Sequence, residues 1–168
     1  MNIKKIKEDS DKLTEAKARL IAHFIGDGCI FKSKSDYVLK YEVKDLELLK
    51  SVEKDLIETY GLKPSWGLNP SGKTGKLIPL VRLRSKLAYL DMLRYATYYS
   101  KDWKIKHLLF AANKDIKKEF LKALFDDEGT VIKDQIRLYS INKDGLKQIE
   151  KLLRGFRFKK IKITPRYS

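Results

Sequence analysis

The chain has 168 residues, with 37 Lys and Arg against 22 Asp and Glu, and a formal net charge of +15. At 43% hydrophobic residues it can fold, so the positive excess sits on a globular body rather than a disordered tail, and the expectation is an intracellular nucleic-acid binder. One cysteine, Cys29, excludes an intrachain disulfide framework, two histidines argue against a His/Cys zinc site, and no apolar run nears the ~20 residues that span a bilayer.

The first predicted helix covers residues 9–27, capped by Asp9 or Ser10, with Leu13, Leu20, Ile21 and Phe24 as its apolar stripe and Gly28 as its C-terminal stop. Within it Ala18, Ala22 and Gly26 fall four apart, a small-residue line that lets a partner backbone come close. Residues 29–32 and 37–44 read as a hairpin, and 45–60 as an amphipathic helix ended by Gly61. Residues 62–68 and 77–84 make a second hairpin, 85–99 a further helix, and 101–106 a basic connector. The order then begins again: helix 116–128 ended by Gly129, hairpin 130–133 with 135–142, helix 144–154 ended by Gly155, and strand 156–164.

Three landmarks pair across the chain: Asp27-Gly28 with Glu128-Gly129, Lys44-Asp45 with Lys143-Asp144, and Gly61 with Gly155. Their offsets are 128−27 = 101, 143−44 = 99 and 155−61 = 94. The sequence therefore holds an internal repeat of an α-β-β-α-β-β unit, divided as 1–106 and 107–168, and it stops before the second copy has room for a fourth strand and last helix.

Two helices that each end in an acid plus glycine are physically odd, because the negative end of a helix disfavours carboxylates. A cation reverses that sign, and helix-end carbonyls with a carboxylate offer hard oxygen ligands suited to Mg²⁺ or Mn²⁺. If the two helices pack side by side, Asp27 and Glu128 meet at one end of the seam, and metals held there can activate water and stabilise the leaving oxygen of a phosphodiester. The segments Leu20-Ile21-Ala22-His23-Phe24-Ile25-Gly26-Asp27-Gly28 and Leu121-Lys122-Ala123-Leu124-Phe125-Asp126-Asp127-Glu128-Gly129 resemble the two motifs of the LAGLIDADG homing endonucleases, in the monomeric, intron-encoded type. The resemblance implies an α/β (α+β) fold: a pseudo-twofold pair of such units, whose curved antiparallel sheets form a DNA-binding saddle around two central motif helices. It also implies that Asp27 and Glu128 bind metal at the scissile phosphates, with the backbone carbonyls of Gly26 and Asp127 completing the ligation. His23, bulky and polar inside the first motif, departs from the pattern and is expected to be packed and hydrogen-bonded. Lys122 is a second departure.

Strand alternation selects the side chains that face DNA. In 37–44, Tyr37, Leu39, Tyr41 and Val43 are expected inside and Lys40, Glu42 and Lys44 outside. In 77–84, Leu77, Val81 and Leu83 go in and Arg82 and Arg84 out. In the second copy, Ile136 and Leu138 go in and Gln135, Arg137 and Tyr139 out. Lys32, Lys73, Lys76, Lys133 and Lys143 complete the set as phosphate contacts. The basic group that stabilises charge at the phosphate is sought at Lys104 and Lys106, then at Lys44 and Lys143. The string from Gly67 to Thr74 satisfies G-x-x-x-x-G-K-T, but the residues after it alternate like a strand, so it reads as a hairpin tip rather than a nucleotide loop. The expected activity is a metal-dependent, site-specific double-strand DNA endonuclease leaving short 3′ overhangs; the alternatives are an RNA-binding maturase acting on its intron RNA and a catalytically dead DNA-binding module.

Overall fold

The structure, a computed structural model, describes residues 12–72 and 74–164; Lys73 and the expected cap at Asp9 or Ser10 lie outside them. Helix α1 (Glu15–Ile25) begins at Thr14, whose hydroxyl accepts from the Lys17 N–H. Strands β1 (Gly28–Ser33) and β2 (Asp36–Glu42) form the first hairpin, and α2 (Leu46–Tyr60) follows, capped by Asp45 and ended by Gly61 in the left-handed region. Strands β3 (Ser65–Pro70) and β4 (Leu77–Arg84) complete an antiparallel sheet of order β1-β2-β4-β3. After α3 (Lys86–Met92) and the short α4 (His107–Phe110) comes the second motif helix, α5 (Lys114–Glu128). The hairpin of the second copy, β5 (Gly129–Ile132) with β6 (Gln135–Leu138), and α6 (Lys143–Gly155) are the last regular elements.

The line of small residues explains the core of this arrangement. Ala18, Ala22 and Gly26 lie on α1 where α5 packs along it, and both alanines are fully buried. A side chain on Gly26 would come within 2.8 Å of the Asp127 carboxylate. Arg19 ties the same two helices together and reaches α2: its Nη1 donates to Glu119 at 2.7 Å, while Nε and Nη2 grip both oxygens of Asp55 at 2.8 Å. On the other side α1 and α2 bury Leu20, Phe24, Leu49, Val52 and Leu56 against Leu39, Tyr41, Val81 and Leu83 of the first sheet. That set buries its apolar surface at roughly 25 cal/mol per Å² and is the main stabilising cluster.

Several sequence expectations need correction. The helix expected over 85–99 stops at Met92. Beyond it Tyr95 and Ala96 turn inward, and the strip pairs with the connector: Lys106 N–H donates to the Tyr95 carbonyl at 2.8 Å and Thr97 N–H to that of Lys104 at 2.9 Å. Burial of Trp103 and Ile105 makes this segment a packed element, and Ile105 exchanges two hydrogen bonds with Gln148 of α6. Gly28 and Gly129 are not left-handed caps; each opens a strand that starts against its own helix, where a Cβ on Gly28 would meet Phe24 and one on Gly129 would collide with the Phe125 carbonyl. The cap of α6 is Asn142, which accepts from the Gly145 N–H at 2.9 Å, so Asn142 and not Asp144 is the counterpart of Asp45. This ends β6 at Leu138 rather than near 142.

The strand expected over 156–164 is not formed. A strand needs a ladder partner, and among the described residues β6 pairs only with β5, whereas β2 has both β1 and β4. The second sheet is consequently thin: Val131 is 72% and Ile136 65% exposed, although alternation puts both on the helix side, where the first sheet holds Leu39 at 0%. Leu77, at the tip of the β3–β4 hairpin and past the helices, is also exposed rather than inside.

Lys17 is wholly buried on α1. Its ammonium lies 2.8 Å from Asp91, which also accepts from the Tyr60 hydroxyl at 2.9 Å, and 5.3 Å from the Tyr95 ring centre. Removing one partner of such a pair strands the other charge in the interior. Lys17→Met is expected to cost about 3–5 kcal/mol of folding stability, measured by urea denaturation.

Candidate active site

The adjoining C-terminal ends of α1 and α5 bring together the carboxylates the repeat points to. Asp27 sits in the turn after α1, and Glu128 is the last residue of α5. Partial burial and the charge of Asp127 hold the Asp27 carboxyl above its ordinary range, with His23 pulling the other way. Burial, then Asp27, then Asp127 do the same to Glu128. Glu128 thus feels Asp27, and both acids feel the buried Asp127. Two helix ends add partial negative charge to the same spot.

Such a concentration of negative charge favours a cation. The groups a cation would meet are the hard oxygens of two carboxylates beside two helix ends, where backbone carbonyls lack intrahelical partners. Among the described residues no three acids, histidines or cysteines close around a single point. An ion here would take few protein ligands and complete its shell with water or phosphate oxygens, which is how Mg²⁺ is ordinarily held. The residues fit such a group.

Below the pair lies a polar cluster that sequence reasoning missed. The Asp127 side chain is fully buried; its Oδ1 accepts from the Tyr41 hydroxyl at 2.7 Å, and His23 Nδ1 donates to its two oxygens at 3.0 and 3.1 Å. Burial, reinforced by the Asp127 charge, pushes the Tyr41 phenol far above its ordinary value, so it remains a donor. The Asp127 carboxylate is therefore engaged by these two donors inside the protein. His23 is packed and hydrogen-bonded, as expected. The available signal was positional: Asp127 stands 101 residues after Gly26, so the repeat puts an acid in one copy where the other has no side chain.

The structure sorts the expected DNA-facing residues. Cross-strand register puts Cys29, Lys40, Arg82 and Ser65 in one row on the face away from the helices, with Val38 and Arg84 in the next. Lys40 pairs with Glu42 at 3.3 Å, and Glu42 also accepts from Asn69 at 3.0 Å, so both lie on that open face. Arg84 is exposed, 4.0 Å from Asp36. Lys32, expected among the phosphate contacts, is not on that face: it is in register with Tyr37, and its ammonium stacks 5.2 Å from that ring on the helix side. In the hairpin of the second copy Arg137 donates twice to Gln135 on the open face, and Lys133 forms the tip with φ 55°. Tyr139 joins the hairpin to the acidic site, its N–H reaching the Glu128 carbonyl at 3.4 Å. Lys44 and Lys76 are exposed at the end of β2 and the start of β4.

Lys104 and Lys106 are not brought to the acids. The Lys106 ammonium donates to the Leu93 carbonyl at 2.5 Å. Asp144, held low chiefly by Lys147, feels Lys104 and Lys143 as well, which puts both lysines at the start of α6. The G-x-x-x-x-G-K-T string forms the β3–β4 hairpin tip, closed by the Ser71 N–H to the Lys76 carbonyl and by Gly75 at φ 65°. No helix follows it, so it makes no phosphate cradle.

Residues 115–166 match the model of the LAGLIDADG-like domain family. A structure of mesophilic variants of the homing endonuclease I-DmoI superposes with a TM-score of 0.63 at 19% identity, covering 86% of this chain and 74% of that one. The chain has the LAGLIDADG homing-endonuclease fold. I-DmoI in complex with DNA and Mn gives a TM-score of 0.61 at 20% identity over 86% and 78% of the two chains. The homing endonuclease I-WcaI bound to its DNA recognition sequence gives 0.60 at 17% over 90% and 72%. In sequence, the chain is 30% identical over 141 residues to the DNA polymerase II large subunit of Thermococcus kodakarensis. That match takes in 80% of this chain but spans only 7% of the much longer relative.

The raised carboxyls carry a sign that can be tested. A carboxyl lifted on folding destabilises the native state once ionised, so this penalty is absent below the unfolded values of about 4 and grows as pH rises through the folded ones. Asp27→Asn and Glu128→Gln are each expected to raise the melting temperature of metal-free protein at pH 7, with the gain fading near pH 4. Added Mg²⁺ should raise the wild-type melting temperature and do so less in either variant, as read by thermal denaturation.

Proposed function

We propose that the protein is a divalent-metal-dependent, site-specific endonuclease that hydrolyses one phosphodiester in each strand of double-stranded DNA at a long target site, leaving short 3′ overhangs. The observation that carries this reading is the convergence of Asp27 and Glu128 at the joined ends of α1 and α5, in a chain of net charge +15. The fold is that of I-DmoI and I-WcaI, whose structures hold DNA.

In this reading Asp27 and Glu128, with the carbonyls of Gly26 and Asp127, hold Mg²⁺ or Mn²⁺. The bound metal supplies an activated water and a counter-charge for the leaving oxygen. The remaining work belongs to the protein. The α1–α5 seam sets the spacing between the two acids and hence between the two cut phosphates. Arg82, Arg84, Lys40, Gln135 and Arg137 lie on open strand faces, where a β-ribbon enters a major groove, and Arg and Gln there read base edges. Lys44, Lys76, Lys133 and Lys143 hold phosphates around them, and Lys104 and Lys106 join that set rather than the reacting centre. Both acids come from one chain, so the reading is of a monomer acting inside the cell.

Asp27→Asn and Glu128→Gln are expected to abolish double-strand cleavage in Mg²⁺ while leaving DNA affinity in Ca²⁺ within about twofold, measured on cognate duplex by gel shift. Loss of binding in both would contradict the assignment. Arg82→Ala should relax base preference at one position and weaken binding by about 1–3 kcal/mol, whereas Lys76→Ala should weaken all sequences alike and lower the salt slope by about one. Binding of structured RNA in place of duplex DNA, without cleavage, would favour the maturase reading.

A further inference from the structure

We propose that Tyr41 and His23 are positioning residues that act through Asp127 to set where the end of α5, and so Glu128, stands relative to Asp27; this rests on the assignment of Asp27 and Glu128 as the metal-binding pair.

Asp127 is the residue just before Glu128, and its buried carboxylate is held from two other elements. Tyr41 reaches it from β2 at 2.7 Å and His23 from α1 at 3.0 Å. The rings of His23 and Tyr41 lie 5.3 Å apart at 59°, and Phe24 meets the same Tyr41 ring edge-on, so neither donor is free to swing. The absent side chain of Gly26 supplies the room, since a Cβ there would lie 2.9 Å from the Asp127 Cβ. One carboxylate thus joins the first sheet, the first motif helix and the last turn of the second, directly beneath the acidic pair.

The internal repeat serves as a control. The helix offset of 101 puts Leu124 in the place of His23 and Gly26 in that of Asp127. Register puts Leu138 opposite Gly129 where Tyr41 stands opposite Gly28. Among the described residues no equivalent clamp stands on the other side, so the cluster is not a property of the motif itself. An apolar filling would serve packing as well or better, because burying a charged group costs more than it returns unless every lone pair is met. What the cluster adds is direction. Hydrogen bonds from two elements define one rotation and height of the α5 end, which apolar contact in a seam of small residues leaves free to slide. Since catalysis is steeply sensitive to misplacement of the reacting groups, the clamp acts on turnover rather than on DNA binding.

The test uses the full chain and Tyr41→Phe, which keeps the ring and removes one donor, beside Asp127→Asn, which keeps the shape and an acceptor. Expected for Tyr41→Phe is a fall in kcat of about tenfold or more with KM and Ca²⁺-supported DNA affinity nearly unchanged, and accumulation of nicked duplex as one strand lags. Independently of activity, amide hydrogen exchange at residues 126–129 should quicken in metal-free protein while exchange in the core of α2 stays as it was. Asp127→Asn should fall between wild type and Tyr41→Phe. Unchanged exchange at 126–129 in Tyr41→Phe would overturn the proposal, and so would exchange quickened evenly through the protein, the mark of a structural role alone. Absence of cleavage by the wild type would overturn the endonuclease reading instead, and the exchange experiment would still decide whether the clamp exists.

Discussion

Everything in this protein depends on how closely two helices approach. Ala18, Ala22 and Gly26 on α1 remove side chains from the seam, so the end of α5 can come near enough for Asp127 to lie against Gly26. That approach is unfavourable electrostatically, because two helix termini and a group of carboxylates then share one small region. The fold offsets the cost by core burial behind α1 and by the Arg19 bridge to Asp55 and Glu119 farther up the seam. The result is a stable scaffold carrying an electrostatically strained end, which is the form a cation-dependent site takes.

Two halves of unequal completeness meet across that seam. The first has a four-stranded sheet, a helix layer, and α3 with the strip beyond it sealing the bottom through the Lys17–Asp91 pair. The second has two strands and one long helix, α6, and it borrows from the first: Trp103 lies under Gly145 and its carbonyl accepts from Asn142, while Ile105 holds Gln148. The connector is therefore a brace. Its basic residues are consumed in that role or exposed around it, which is why Lys104 and Lys106 stand away from the acids.

Much of this was legible in the sequence, and the failures have identifiable causes. Periodicity placed both motif helices and α2, turn residues placed the three hairpins, and the repeat alone paired Asp27 with Glu128; the first motif helix starts later than expected, at its Thr14 cap. Alternation sorted β2 and most of β4 correctly, with Leu39, Tyr41, Val81 and Leu83 inside. Lys32, expected among the phosphate contacts with no strand face assigned, lies on the helix side, a phase that shows only once its register with Tyr37 is known. Alternation failed at Leu77 and Ile136 because it says which way a residue points and not whether anything lies there to cover it. The helix expected beyond Met92 lost to tertiary pairing with the connector, and 156–164, whose alternation changes phase midway, finds no strand to bond among the described residues. Of the buried His23–Asp127–Tyr41 cluster only the packing of His23 was legible; its partners lie on two other elements, and nothing local in the sequence brings the three together.

The central claim is that the two acids at the end of the seam cut both strands of DNA at one place. The direct measurement is to incubate the protein and Mg²⁺ with a random duplex library and sequence the ends produced, with Glu128→Gln run beside it. The account predicts ends converging on one long motif, with short 3′ overhangs and none from the variant. Ends scattered without a motif, or identical ends from the variant, would contradict it.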